Sequence, residues 1–235
     1  MDNDLNFETY LFVGEKKFII YVNSETNDQL YKKELIHNQD SSKLNLDKLD
    51  HFLNENIFKI EKYLKNFVKK IDIILKSDVF FTVEVSIKKN DLENSVNLKN
   101  LNYLLNEAKY CLKKTIDNRE IVHMLIDNFN VDNKNYSNMP KELIGINFSI
   151  DVKFICLSQS IIKNFEKVLK KYQISLRKIV SADYIQSFLD HNENEKDIFF
   201  MANKIMDGLN PNEVMLTFES KKKQGFFEKF FNIFS

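Results

Sequence analysis

The chain has 235 residues, with 34 basic residues balancing 34 acidic ones and 43% hydrophobic residues. That apolar content supports one sizeable or two small domains and excludes global disorder. The balanced charge excludes a whole-molecule field for nucleic acid. Only four glycines and two prolines are present, which excludes several glycine-rich loops of the kind that bring backbone amides up to phosphate.

The two cysteines, Cys111 and Cys156, lie far apart in a helical and a strand pattern, and are expected to be buried free thiols in a reducing cytoplasm. The first residues, Met1-Asp2-Asn3-Asp4, are acidic and lack an apolar run, so no signal peptide is expected. No stretch reaches the roughly 18 to 20 apolar residues that span a bilayer.

In chain order, residues 8–23 predict a β-hairpin, with apolar clusters on either side of Gly14-Glu15-Lys16-Lys17. Residues 29–36 predict a third strand and 37–45 a polar loop. Residues 47–70 carry Leu49, Phe52, Leu53, Ile57, Ile60, Leu64 and Phe67 or Val68 at helical spacing and predict one long amphipathic helix. Alternation over 77–88 predicts a half-exposed strand, and 97–111 a further helix. Residues 119–183 then form the stretch on which the chain is centred. A strand over 119–132, a strand over 142–157, a helix over 160–172 and a strand over 175–182 predict a three-stranded antiparallel sheet with one helix on its face. Met139-Pro140-Lys141-Glu142 connects the first two strands. Helices over 183–189 and 198–206 and a short edge strand from Glu213 complete the series.

The clearest functional signal is at the C-terminus. On a helix, Phe226, Phe227, Phe230, Phe231, Ile233 and Phe234 share one side, and Lys229 lies on the other. Lys221, Lys222 and Lys223 precede them. An aromatic face beside a cationic run suits the interface of an anionic membrane, where each lysine contributes roughly 1 kcal/mol. The alternative is a helix that docks on the domain or on a partner. His37, His51, His123 and His191 are scattered without metal-site spacing, and His123 is expected to be a satisfied structural histidine. No catalytic, cofactor-binding or metal-ligating residues are predicted.

Residues 119–133, REIVHMLIDNFNVDN, resemble the start of subdomain 1C, also called the SHS2 module, of the bacterial cell-division protein FtsA, an actin-like membrane tether. Glu120, Ile121, His123, Val131 and Asp132 match that family's pattern. NMPKELIGINFSIDVKF follows it with Pro140 and Gly145, and RKIVSADYIQSFL keeps Ala182. NLKNLNYLLNEAKYCL resembles the family's preceding helix, the hairpin resembles the opening strands of subdomain 1A, and the tail resembles its membrane-targeting helix. Two departures fall in the first phosphate loop: Phe12 stands for an aspartate and Glu15 for a threonine. Too few residues follow Lys196 for the family's second phosphate loop and its 2A and 2B parts.

The resemblance implies an α+β fold: a partial actin-like, 1A-like domain over 1–117, an SHS2/1C-like antiparallel module over 118–190, a helix and strand completing the scaffold over 191–219, and a basic linker with an amphipathic membrane helix over 220–235. It implies a non-catalytic divisome adaptor without cofactor, on the cytoplasmic face of the inner membrane at midcell. The expected partners are anionic lipids, FtsN-like division proteins through the 1C-like module, and further copies of itself. FtsZ, which the family binds on 2B, is not expected, nor is nucleic acid. The alternatives are an actin-fold scaffold of a pilus or secretion platform, similar to PilM, and an active actin-like ATPase.

Overall fold

The computed structural model describes residues 6–37, 44–89, 98–138, 147–190 and 197–214. The hairpin β1 (Phe7–Gly14) and β2 (Lys17–Ser24) is followed by β3 (Gln29–Ile36), helix α1 (Leu46–Leu64) and β4 (Lys70–Lys76). Then come β5 (Phe81–Lys89), α2 (Leu98–Thr115), β6 (Arg119–Val131), β7 (Lys134–Tyr136) and β8 (Phe148–Ser158). The chain closes with α3 (Gln159–Lys170), β9 (Ser175–Ser181), α4 (Ala182–Leu189) and α5 (Ile198–Met206). These elements build an α+β fold with two sheets, ordered β3-β2-β1-β4-β9 and β5-β8-β6-β7.

In the first sheet β1, β4 and β9 run parallel, while β2 is antiparallel to both β1 and β3. One face packs on α1 and α3 through Leu11, Ile20, Leu53, Ile73 and Phe165. The other packs on α4 and α5 through Tyr10, Ile74, Val180, Ile185 and Phe199. Full burial of each such aliphatic side chain stabilises by about 1.5–3 kcal/mol. Helix α1 starts where the Asn45 side chain accepts the Lys48 N–H (2.9 Å) and stops at Lys65, whose φ of 52° is left-handed. The long helix expected over 47–70 therefore ends early. Phe67 and Val68 lie in the turn that follows, and Lys70 opens β4, whose core run Ile71-Asp72-Ile73-Ile74-Leu75 is buried on both faces.

The second sheet is an insertion between β4 and β9. Helix α2 covers it through Leu104, Leu105, Ala108 and Leu112, packed on Met124, Phe129, Ile150 and Phe154. Its boundaries differ from the expected 118–190. Both β5 and α2 belong to it, whereas α3 and β9 return to the first sheet, so the expected three-stranded sheet over 119–183 does not form. Only β6, β7 and β8 of that stretch share a sheet with β5. Two register breaks in β6, at 121/123 and 126/128, explain why Ile121, Met124, Ile126, Phe129 and Val131 all face one core despite unequal spacing. Asp132 and Asn133, at φ 47° and 66°, make the two-residue turn into β7, a conformation that Asp and Asn tolerate. The expected connection at Met139, Pro140, Lys141 and Glu142 lies outside the described residues.

The first sheet is tied at its base by Arg177 of β9. Its Nε donates to both Asp72 carboxylate oxygens (2.9 and 2.8 Å), and its terminal nitrogen donates to Asp72 and, at 2.9 Å, to Glu8. Asp72 is 1% exposed. Burial raises its pKa, and Arg177 offsets only part of that shift. Arg177→Met leaves this carboxylate buried and unpaired, which costs about 3 kcal/mol at neutral pH. The unfolded carboxyl titrates near pH ~3.9, and in the folded variant burial and Glu8 hold Asp72 well above that. The penalty is the cost of ionising it, so it is small below the unfolded value and grows as pH rises. Urea melts of both proteins across that range check this; a penalty independent of pH contradicts it.

Candidate functional site

Ligands of open parallel sheets bind beyond the carboxyl ends of the strands. Here β1 ends at Gly14, β4 at Lys76 and β9 at Ser181, and the crevice beside them has a volume of about 640 Å³. Lys16, Lys17 and Lys76 line it against Glu15, Asp78 and Asp183, with Phe12 and Ser77 between them. The charges cancel. Lys17 is engaged with Glu34 (3.1 Å) and lies 5.9 Å from the centroid of the Phe12 ring. A Cβ on Gly14 would stand 2.9 Å from Phe12 Cε1. The glycine at this turn therefore makes room for an aromatic ring, and the departure at Phe12 fills the site with carbon.

The start of α4 borders the same crevice, and two of its first four amides are already committed. The Ser181 N–H donates to His123 Nε2 (3.0 Å), and the Tyr184 N–H donates to Ser181 Oγ (3.4 Å). Asp183 adds a carboxylate in the first turn. A helix start suits an anion when its N–H groups are unspent and its surroundings are not acidic. Here two of the N–H groups are spent and Asp183 stands in the first turn.

Beside the crevice lies a buried polar cluster. His123 Nε2 accepts from Ser181, which places the ring proton on Nδ1, donated to Glu213 Oε1 at 2.8 Å. The Tyr184 hydroxyl donates to Glu213 Oε2 (2.9 Å) and accepts from Asn210 (2.9 Å). Burial pushes the Tyr184 phenol pKa upward. His123 and Glu213 are both buried. The cluster joins β6, the β9–α4 junction and the segment 210–214, which also pairs with β6 through Ile126 N–H to Asn212 O (2.9 Å) and Val214 N–H to Met124 O (2.8 Å). The short strand expected from Glu213 thus joins the second sheet, by a bridge to Leu125, and does not complete the first. With both ring nitrogens bonded and no solvent access, His123 is a structural residue. Sequence reading found the histidine but not Glu213, ninety residues later, because nothing local marks the pairing.

The other candidates separate. The His37 ring packs 4.5 Å from Phe18, and its pKa is lowered by burial and then by Lys48. His51 is exposed on α1, and His191 lies outside the described residues. Cys156 is buried and its thiol pushed up to about 11, chiefly by burial, while Cys111 is partly exposed; both are free. Among the described residues no three His, Cys, Asp or Glu side chains group as a metal site, and no helix is long and apolar enough to cross a membrane. The membrane-facing set, Lys221, Lys222, Lys223, Phe226, Phe227, Lys229, Phe230, Phe231, Ile233 and Phe234, lies outside the described residues.

No protein-family model and no curated protein matches the chain. Among solved structures it is similar to the cytoplasmic domain of EpsL, an inner membrane component of the type II secretion system of Vibrio cholerae, at 12% identity and a TM-score of 0.38, covering 75% of this chain and 58% of that one. It is similar to a chain of the PilM–PilN type IV pilus biogenesis complex at 9% identity and a TM-score of 0.44, covering 76% and 48%. It is also similar to a Bacteroides thetaiotaomicron protein of unknown function with an actin-like ATPase fold, at 15% identity and a TM-score of 0.34, covering 80% and 58%. The chain spans 48% to 58% of the length of these three. The likenesses are of chain path, not of activity.

Glu213→Ala leaves the His123 Nδ1–H and the Tyr184 hydroxyl without their buried acceptor, at about 2–3 kcal/mol. The expected result is a lower melting temperature, with faster hydrogen exchange at the Ile126 and Val214 amides ahead of the β1 and β4 amides. Uniform loss of protection across both sheets would show that the cluster is not a local latch.

Proposed function

We propose that this protein is a non-catalytic, actin-like scaffold that holds its inserted β5–β8 unit at a membrane surface for contact with partner proteins. The observation that carries this reading is the state of the strand-end crevice. An aromatic ring occupies the loop that would cradle a phosphate, the lining charges cancel, and amides at the start of α4 are spent on Ser181 and His123. A nucleotide would find no net positive charge there, and the Ser181 and Tyr184 amides are spent. A hairpin-led sheet with a unit inserted before its last strand supports a scaffold that carries a separate contact surface.

Two settings fit such a scaffold. One is a pilus or secretion platform, the setting of the EpsL and PilM–PilN structures. The other is the division site, the setting of the family that residues 119–133 resemble, with FtsN-like partners. A fluorescently tagged copy separates them: foci at poles or scattered sites place it in a platform, and a midcell band places it in division.

Calorimetry of the full chain with magnesium and ATP is expected to show no binding heat; a saturable isotherm overturns the non-catalytic reading. Removing residues 225–235 is expected to release the protein from vesicles containing phosphatidylglycerol by at least ten-fold, since the apolar face and its flanking lysines act together. Co-sedimentation before and after truncation measures this, and unchanged binding removes the tail from the tether.

A further inference from the structure

Helix α1 buries one face in the first core through Leu49, Phe52, Leu53, Ile57 and Ile60, and that anchoring fixes what its other face presents. Phe58, Lys62 and Lys65 recur at i, i+4 and i+7 on the outward stripe. Phe58 is 70% exposed, Tyr63 67% and Phe67 71%. Lys59, Lys62, Lys65, Lys69 and Lys70 are exposed around them. The acidic residues nearby do not balance these lysines. Glu61 is half-buried and accepts the Val68 N–H (3.1 Å), Asp50 is paired with Lys171 (2.6 Å), and Glu8 and Asp72 are held by Arg177. Glu55 alone is exposed on the stripe, one turn earlier.

We infer that the C-terminal end of α1 and the turn into β4 form a second membrane contact, built to lie on an anionic bilayer, and that this contact is independent of the C-terminal tail. Its composition selects the occupant. Protein interfaces are enriched in Arg and depleted in Lys, whereas this patch carries five lysines and no arginine. A lysine keeps its ammonium hydrated at the headgroups while its methylene stem lies along apolar surface. Aromatic rings beside a run of lysines are the composition of an interfacial surface. Phe58 and Tyr63 project from a helix already held by the core and Phe67 from the turn that follows it, so little ordering entropy opposes the contact.

The chain contains no tryptophan, so Phe67→Trp places a single reporter in the patch. Phe67 is mostly exposed, and the substitution leaves the core untouched. In the full chain, adding phosphatidylcholine vesicles that contain phosphatidylglycerol is expected to shift the emission of this single indole to the blue and to make it quenchable by brominated acyl chains. Pure phosphatidylcholine should do neither. Adding Lys62→Gln and Lys65→Gln should raise the lipid needed by about 30-fold, from roughly 1 kcal/mol per lysine. The same measurements with Phe230→Ser and Phe231→Ser separate this contact from the tail. If the tail fails as a tether, those two changes have no effect and the blue shift of the reporter persists. If the patch fails, the protein sediments with vesicles while the reporter emission stays that of a water-exposed ring. That result overturns the inference, as does a blue shift that follows protein concentration without lipid, which would mark a protein partner or a second copy. Absence of any vesicle binding overturns it equally.

Discussion

The placement of the two sheets depends on one buried imidazole. His123 sits just after the first register break of β6, which turns it away from the α2-covered core and towards the end of β9. There it accepts an N–H from the first sheet and donates to a carboxylate from the far end of the chain. A ring with one donor and one acceptor does both without adding charge to a dry site. Around it, Leu125 and Ile155 of the second sheet share a core with Phe12, Ile74 and Val180 of the first. Apolar packing supplies the area, and the imidazole supplies the register.

That joint reaches into the crevice beside it. The Ser181 amide sits where the last parallel strand becomes a helix, the place where strand-end sites offer backbone N–H groups to anions. Here the amide is part of the inter-sheet joint instead. The sheet–sheet contact therefore holds one of the donors that this helix start could offer an anion.

The sequence discloses elements better than it discloses their partners. The hairpin, β3, α5 and the strand character of β6 and β8 follow from period and turn chemistry, whereas the left-handed turn at Asp132-Asn133 falls at the end of a stretch that reads as one continuous strand to 132, and strand β7 after it is unmarked. Strand β4 hides. Buried on both faces, its isoleucines do not alternate, so their run merges with the helical spacing of α1 ahead of it. Missing β4 removes the strand that β9 must pair with, and β9 then falls by default into the sheet of its sequence neighbours. The Glu213 partner of His123 is illegible for a related reason: a pairing across ninety residues leaves no periodic trace. The exposed aromatics of α1 are legible only as departures from an apolar face, and they gain meaning once the buried face is known.

A phosphate-binding crevice would require more here than a change in the first turn. Restoring an aspartate at Phe12 would remove the ring over Gly14, yet Glu15, Asp78 and Asp183 would still face Lys16, Lys17 and Lys76 across a neutral crevice. Freeing the Ser181 amide would also require releasing His123, and with it the Glu213 latch. Each change alone leaves the others opposing an anion, and the last one loosens the contact between the sheets. The Ser181 amide serves the joint between the sheets, while aromatic and lysine side chains stand exposed at the end of α1.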